Sequence, residues 1–133
     1  MKTAKLFTTT LMTLILATAA IADAGAAPTS LNEGAYTAEQ AAAGKPLFET
    51  NCSTCHNADY YKTVFQSWRG QPVQYLFEQI MSAMPADKPG ALLDNEYEVV
   101  MAYMFEILGF PAGDTELSYS SGMMRDIKIE PAP

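Results

Sequence analysis

The chain is poor in the residues from which most sites are built, with one histidine, two cysteines and one tryptophan among 133 residues. Eight Lys and Arg stand against 15 Asp and Glu, for a formal charge of −7, and the few cations form no basic stripe. That excludes nucleic-acid binding, because phosphate contacts need clustered Lys and Arg. Two cysteines are too few for the disulfide framework of a small secreted scaffold. No internal repeat occurs and no segment reads as a convincing β-sheet. Nothing in the chain resembles an acid–base pair around an open substrate pocket. With 49% apolar and 17% charged residues the composition is too apolar for disorder and suits one small globular domain. The one long apolar run lies at the amino terminus.

That run reads as an export signal. Lys2 and Lys5 form a short positive n-region, Leu6 to Ile21 is apolar or small, and Ala20-Ile21-Ala22 offers a small-residue cleavage site. A second candidate site is Ala24-Gly25-Ala26. A membrane anchor is the rival reading. Five threonines (Thr8, Thr9, Thr10, Thr13 and Thr18) interrupt a segment already short of the roughly 20 apolar residues a spanning helix needs. Cleavage after Ala22 leaves 111 of the 133 residues, with no membrane span. It removes two lysines and no acid, moving the formal charge from −7 to −9. The expected location is the periplasm. A domain of that size buries roughly two-thirds of its unfolded surface, a thin margin that a disulfide, metal or cofactor usually supplements.

Cys52-Ser53-Thr54-Cys55-His56 is the C-x-x-C-H pattern of c-type haem attachment. Two thiols one helical turn apart can add to the two vinyl groups of one haem, and the adjacent imidazole is then directed at the iron. Two rival readings use the same residues. A dithiol redox centre belongs beside a βαβ pattern, which is missing. A zinc site would need a second ligand pair to complete its tetrahedron. The export signal favours haem. Because His56 is the only histidine, bis-histidine ligation within one chain is excluded, and a sixth iron ligand must be methionine, lysine, another group or water.

Along the expected mature chain, residues 23–36 are rich in Ala, Gly, Pro, Thr and Ser without periodicity and read as a flexible lead-in. Thr37 with Gln40 forms a capping box for a helix over 38–51, in which Pro46 predicts a kink or a late start. The aromatic-rich segment Asn57 to Gly70, with Tyr60, Tyr61, Val64, Phe65 and Trp68, is expected to wrap one haem edge. From Pro72 a helix begins with one buried face, Val73, Leu76, Phe77 and Ile80, and ends before Met84-Pro85. Asp94 is the expected cap of a last long helix over 95–108, with Tyr97, Val100, Met101, Met104 and Leu108 at helical spacing and Gly109 and Pro111 as its stop. In the tail, Ile127 and Ile129 suggest an extended segment.

Eight methionines are present, and most suit core filling. Met1 and Met12 leave with the signal, Met101 and Met104 lie on the periodic face of the last helix, and Met123 and Met124 sit in the tail. Met84 stands where a helix gives way to a Pro-rich loop, Met84-Pro85-Ala86-Asp87-Lys88-Pro89-Gly90. Spacing alone does not separate it from Met81 as a ligand.

The motifs Gly44 with Phe48, Cys52 to His56, Met84-Pro85, Pro89-Gly90-x-Leu92, Glu96-Tyr97 leading into Ala102-Tyr103, and Gly109 to Gly113 together resemble class I c-type cytochromes over about Thr37 to Gly113. The run after Met84 is similar to bacterial cytochromes that act with, or are fused to, periplasmic dehydrogenases. The resemblance implies an all-α cytochrome c fold, three to five short helices wrapped around one covalently bound haem c. It places a cytochrome domain at 37–113, followed by a C-terminal extension at 114–133. It implies Cys52 and Cys55 as the covalent attachment points and His56 and Met84 as axial iron ligands, a pair that raises the reduction potential relative to bis-histidine. It also implies a close crossing of the first and last helices that Gly44 permits while Phe48 and Tyr103 fill the contact. Trp68 and Arg69 are candidates for hydrogen bonds to the haem propionates. Two features depart from the family pattern. Asn57 stands where glycine is common after the histidine, and no Gly or Pro between His56 and Gly70 supplies a carbonyl for the second N–H of the imidazole.

Three functions follow as expectations. The first is a periplasmic carrier of single electrons by Fe(II)/Fe(III) cycling, with a periplasmic dehydrogenase as donor and an oxidase or another cytochrome as acceptor. The second is a tightly bound haem subunit of a periplasmic dehydrogenase such as a quinoprotein alcohol dehydrogenase, with lead-in and tail available for partner contacts. The third is a haem enzyme or sensor with an open sixth site, which requires that Met84 not bind iron.

Overall fold

The computed structural model describes residues 26–133. The expected export segment, residues 1–22, lies outside the described residues. Four α-helices carry the fold: α1 (Ala38–Asn51), α2 (Ala58–Phe65), α3 (Val73–Ala83) and α4 (Asp94–Ile107). Short 3₁₀ turns stand at Leu31–Glu33, Gln66–Trp68 and Met123–Arg125. Among the described residues no strand forms, only isolated bridges from Lys128 to Ser30 and to Pro72. The all-α architecture expected from the sequence is the one observed.

Helix α1 starts as the capping box dictates. The Thr37 hydroxyl accepts from the Gln40 backbone N–H at 3.2 Å, and the Gln40 side chain accepts in return from the Thr37 N–H at 3.3 Å. Pro46 does not delay the start; it sits inside one continuous helix from Ala38 to Asn51. The proline costs one hydrogen bond, to the carbonyl of Ala42. Both residues are solvent-exposed, so water can serve that carbonyl.

The most extensive helix contact is between α1 and α4. Gly44 makes it possible, since a Cβ there would stand 1.8 Å from the Val99 carbonyl oxygen. One turn further on, Phe48 meets Tyr103 edge-on at 5.2 Å. Helix α4 begins one residue earlier than expected: Leu93 is the cap, Asp94 is the first helical residue, and the Glu96 carboxylate accepts from the Leu93 N–H at 2.8 Å. Acids in the first turn then act on the positive end of the helix dipole. Gly109, at φ +90°, ends the helix, with its N–H on the Glu106 carbonyl and that of Phe110 on Phe105.

The lead-in is ordered where it is described, unlike the flexible segment its composition suggested. Ser30 caps the turn Leu31–Glu33, and Leu31, Ala35 and Tyr36 are buried. The backbone partner of Leu31 and Thr29 lies about a hundred residues away. The Leu31 N–H donates to the Lys128 carbonyl at 3.1 Å and the Lys128 N–H to that of Thr29 at 2.8 Å. Gly70 and Val73 donate in turn to the carbonyls of Ile129 and Ile127, and both isoleucines are fully buried. Further up the tail, Gln40 holds both backbone groups of Leu117, at 2.9 and 2.8 Å. Tyr119 stacks on Phe77 at 4.5 Å and donates to Glu78 at 3.0 Å. Both ends of the described chain are thus bound back onto the helices.

Candidate haem site

The first part of the site grows out of the end of α1. The N–H groups of Cys52 and Ser53 both donate to the Phe48 carbonyl, and those of Cys55 and His56 to the Cys52 carbonyl at 3.2 and 3.1 Å. A tight turn therefore carries both thiols and the imidazole. Asn57, the departure from the family pattern, has a local purpose: its side chain accepts from the Tyr60 N–H at 2.9 Å and starts α2. Helix α2 in turn sets two tyrosines against His56, Tyr60 stacked at 4.3 Å and Tyr61 edge-on at 5.6 Å.

The second part is the end of α3. Met84 is its C-terminal cap in extended conformation, φ −127° and ψ 153°. The Met84 N–H donates to the Ile80 carbonyl at 2.8 Å. Its own carbonyl accepts from the Tyr97 hydroxyl at 2.7 Å and from the Gly90 N–H at 3.3 Å.

Between these parts lies a cavity of about 590 Å³, within the roughly 300–1,000 Å³ common for cofactor sites. Cys52, Cys55, His56, Trp68 and Met84 all line it, as do Leu76, Ile80 and Val100 from α3 and α4. The structure thus brings together five of the six site residues expected from the sequence. Arg69 is the exception. It is exposed and borders a separate shallow depression with Lys62, Phe110 and Glu130, so it is not placed as a propionate donor. The turn that follows α2 directs Trp68 inward and ends at Arg69, whose backbone is already extended, at ψ 132°.

The methionine question also narrows. Met84 lines the cavity and Met81 does not, although the two were equivalent by spacing. Met104, on the buried face of α4, lines it as well. Its helical period concealed this, because a core position and a cavity-wall position look the same in sequence. Tyr97 was legible only as another core position, and its hydroxyl contact with Met84 has no local signal.

The chemistry of the donors separates the rival readings. Burial pushes the Cys52 thiol up from its ordinary pKa, opposite to the depressed pKa that activates a dithiol redox centre. No group of three or more His, Cys, Asp or Glu placed to hold a metal ion occurs among the described residues, which leaves a zinc site short of ligands. A haem fits the residues present. The walls are mainly apolar, two free thiols stand on one side, a thioether lines the same space, and the buried His56 Nδ1 has no hydrogen-bond partner. The acceptor for the imidazole's second N–H, unassigned from sequence, is not supplied by the described residues. Aromatic faces hold the ring instead.

Residues 39–104 match the family model described as cytochrome c oxidase, cbb3-type, subunit III. Together with the helical fold and the cavity at the Cys52-x-x-Cys55-His56 turn, that match shows this chain to be a class I c-type cytochrome. It is a haem-binding electron-transfer protein. Comparison with curated proteins and comparison with solved structures each found no match. No helix among the described residues is long and apolar enough to cross a membrane.

Proposed function

We propose that the protein is an exported periplasmic carrier of single electrons, with Cys52 and Cys55 bonded to one haem c and His56 and Met84 as its axial ligands. The haem supplies reversible one-electron chemistry at iron. The chain's part is to hold the imidazole against Tyr60 and Tyr61, to present the thioether from the end of α3, and to keep water from most of the cofactor with apolar walls. A histidine and methionine ligand pair would favour the ferrous state and raise the potential relative to bis-histidine. The observation that carries the reading is the single cavity joining the Cys-x-x-Cys-His turn to Met84.

A freely diffusing carrier is favoured over a fixed subunit by what the termini do. Leu31, Leu117, Met124, Ile127 and Ile129 are all buried in the chain's own core, so the described lead-in and tail are engaged internally. On this reading the donor is a periplasmic dehydrogenase and the acceptor an oxidase or another cytochrome. A carrier should elute alone from native periplasm; elution with a dehydrogenase would establish the bound-subunit reading instead.

Replacement of each cavity-lining methionine tests the ligand set. Met84→Ala should change the ferric spectrum and lower the potential, whereas Met104→Ala should leave the spectrum of methionine-ligated iron in place. An unchanged Met84→Ala spectrum would remove Met84 as ligand. It would also revive the reading of a haem enzyme or sensor with an open sixth site.

A further inference from the structure

We infer that Tyr97 is the positioning residue for Met84, fixing the ligand loop to the same helix pair that carries the histidine; this rests on the proposed Met84 ligation. Met84 is the residue that caps α3, and the carbonyls at the C-terminal end of a helix have no partner within it. Tyr97, on the first turn of α4 and 2% exposed, fills that vacancy with a 2.7 Å hydrogen bond. The other donor to the same oxygen, the Gly90 N–H, is longer at 3.3 Å and belongs to the loop itself. Tyr97 is thus the donor that ties Met84 to a different helix. Its ring is in turn set by an edge contact with Phe77 of α3 at 6.3 Å. The start of α4 is pinned by the Glu96 cap on the Leu93 N–H.

The consequence comes from where α4 goes next. It crosses α1 at Gly44 with backbone against backbone, and α1 ends in the turn bearing Cys52, Cys55 and His56. One phenol therefore closes a mechanical circuit from His56 through α1 and α4 to Met84. Without it the loop would retain its local turns, the Lys88 N–H on the Pro85 carbonyl and the Ala91 N–H on that of Lys88. It would lose its anchor to the scaffold. Met84 would then leave the iron more readily while the rest of the fold stayed in place.

Ligand competition on the haem-loaded full-length chain tests this, with imidazole as the probe that competes for the Met84 position. Tyr97→Phe removes one oxygen and keeps the ring. A net hydrogen-bond contribution of about 0.5–1.5 kcal/mol predicts imidazole binding to ferric protein tighter by roughly 2- to 10-fold. The near-infrared charge-transfer band of methionine-ligated ferric haem should persist when imidazole is absent. The control is Tyr36→Phe, which deletes another buried tyrosine hydroxyl on a backbone carbonyl, that of Phe110 at 2.6 Å, away from the cavity wall. It should lower thermal stability and leave imidazole affinity unchanged. Equal imidazole affinity in Tyr97→Phe and the parent, or an equal rise in Tyr36→Phe, would overturn the positioning role. If Met84→Ala moves the band and the affinity while Tyr97→Phe moves neither, only this inference fails. If Met84→Ala moves neither, the ligand reading fails with it.

Discussion

The two sides of α4 solve different problems. On one side the chain satisfies itself: α1 lies against α4 at Gly44, Gly34 and Gly113 approach backbone to backbone, and the Tyr36 hydroxyl reaches the Phe110 carbonyl at 2.6 Å. On the other side Val100 and Met104 face a cavity of about 590 Å³ beside a buried imidazole nitrogen that has no partner. A cavity of this size with mainly apolar walls has the dimensions of a cofactor site. The packed half is held by the chain's own contacts, and the other half lines the candidate cofactor site.

The strongest blow to the packed half is to cut its tail. Deleting residues 127–133 exposes the surroundings of Ile127 and Ile129, both 0% exposed. At about 1.5–3 kcal/mol for each fully buried aliphatic side chain, the loss should be roughly 3–6 kcal/mol. Denaturant unfolding of the haem-loaded protein measures it, and a tail that served only partner contacts would leave the midpoint unchanged. Next is Gly44→Ala, whose new Cβ meets the Val99 backbone and not a side chain that can swing away. Overpacking of this kind costs about 1–3 kcal/mol, occasionally more. Because α1 also carries the haem turn, the variant should disturb the spectrum as well as the midpoint. A spectrum unaltered at reduced stability would separate the two halves more sharply than the structure suggests.

The smallest effect concerns alkaline pH. Burial, with a lesser contribution from the charge of Glu106, pushes the Tyr36 phenol from the usual 10.0 up to about 12. The folded protein therefore keeps a proton that the unfolded chain gives up, and stability falls as pH rises between about 10 and 12. Tyr36→Phe should flatten part of that slope. Tyr61 on the cavity wall, also raised by burial, should sustain the remainder. An unchanged slope in Tyr36→Phe would show that the packed half is more open to solvent than its burial indicates.

How much of this was legible in sequence depended on the range of the interaction. Contacts within a few residues were readable, such as the Thr37–Gln40 capping box, the stop at Gly109 and the end of α3 at Met84-Pro85. The Cys52-x-x-Cys55-His56 turn was readable because its chemistry is confined to five residues. Pro46 did not delay the helix start because its cost depends on whether the carbonyl it orphans faces water, which spacing does not reveal. Leu31 looked like part of a loose lead-in because its partner, Lys128, lies at the far end of the chain. Arg69 shared a sequence neighbourhood with Trp68 and not its direction. Met104 read as core because a helical period marks an inward face without saying whether protein or a cavity lies opposite, and the Tyr97 hydroxyl contact with Met84 has no local signal.

Covalent haem attachment is the most direct test of the central claim. The full-length chain would be produced in a host that matures c-type cytochromes, denatured, and analysed by haem-stained gel and intact mass. The account predicts haem that stays with the chain after denaturation, as the mass of one haem added to the polypeptide, and its loss from the chain in Cys52→Ala/Cys55→Ala. Haem that separates from the parent protein on denaturation, or that remains bonded in the double variant, would contradict it.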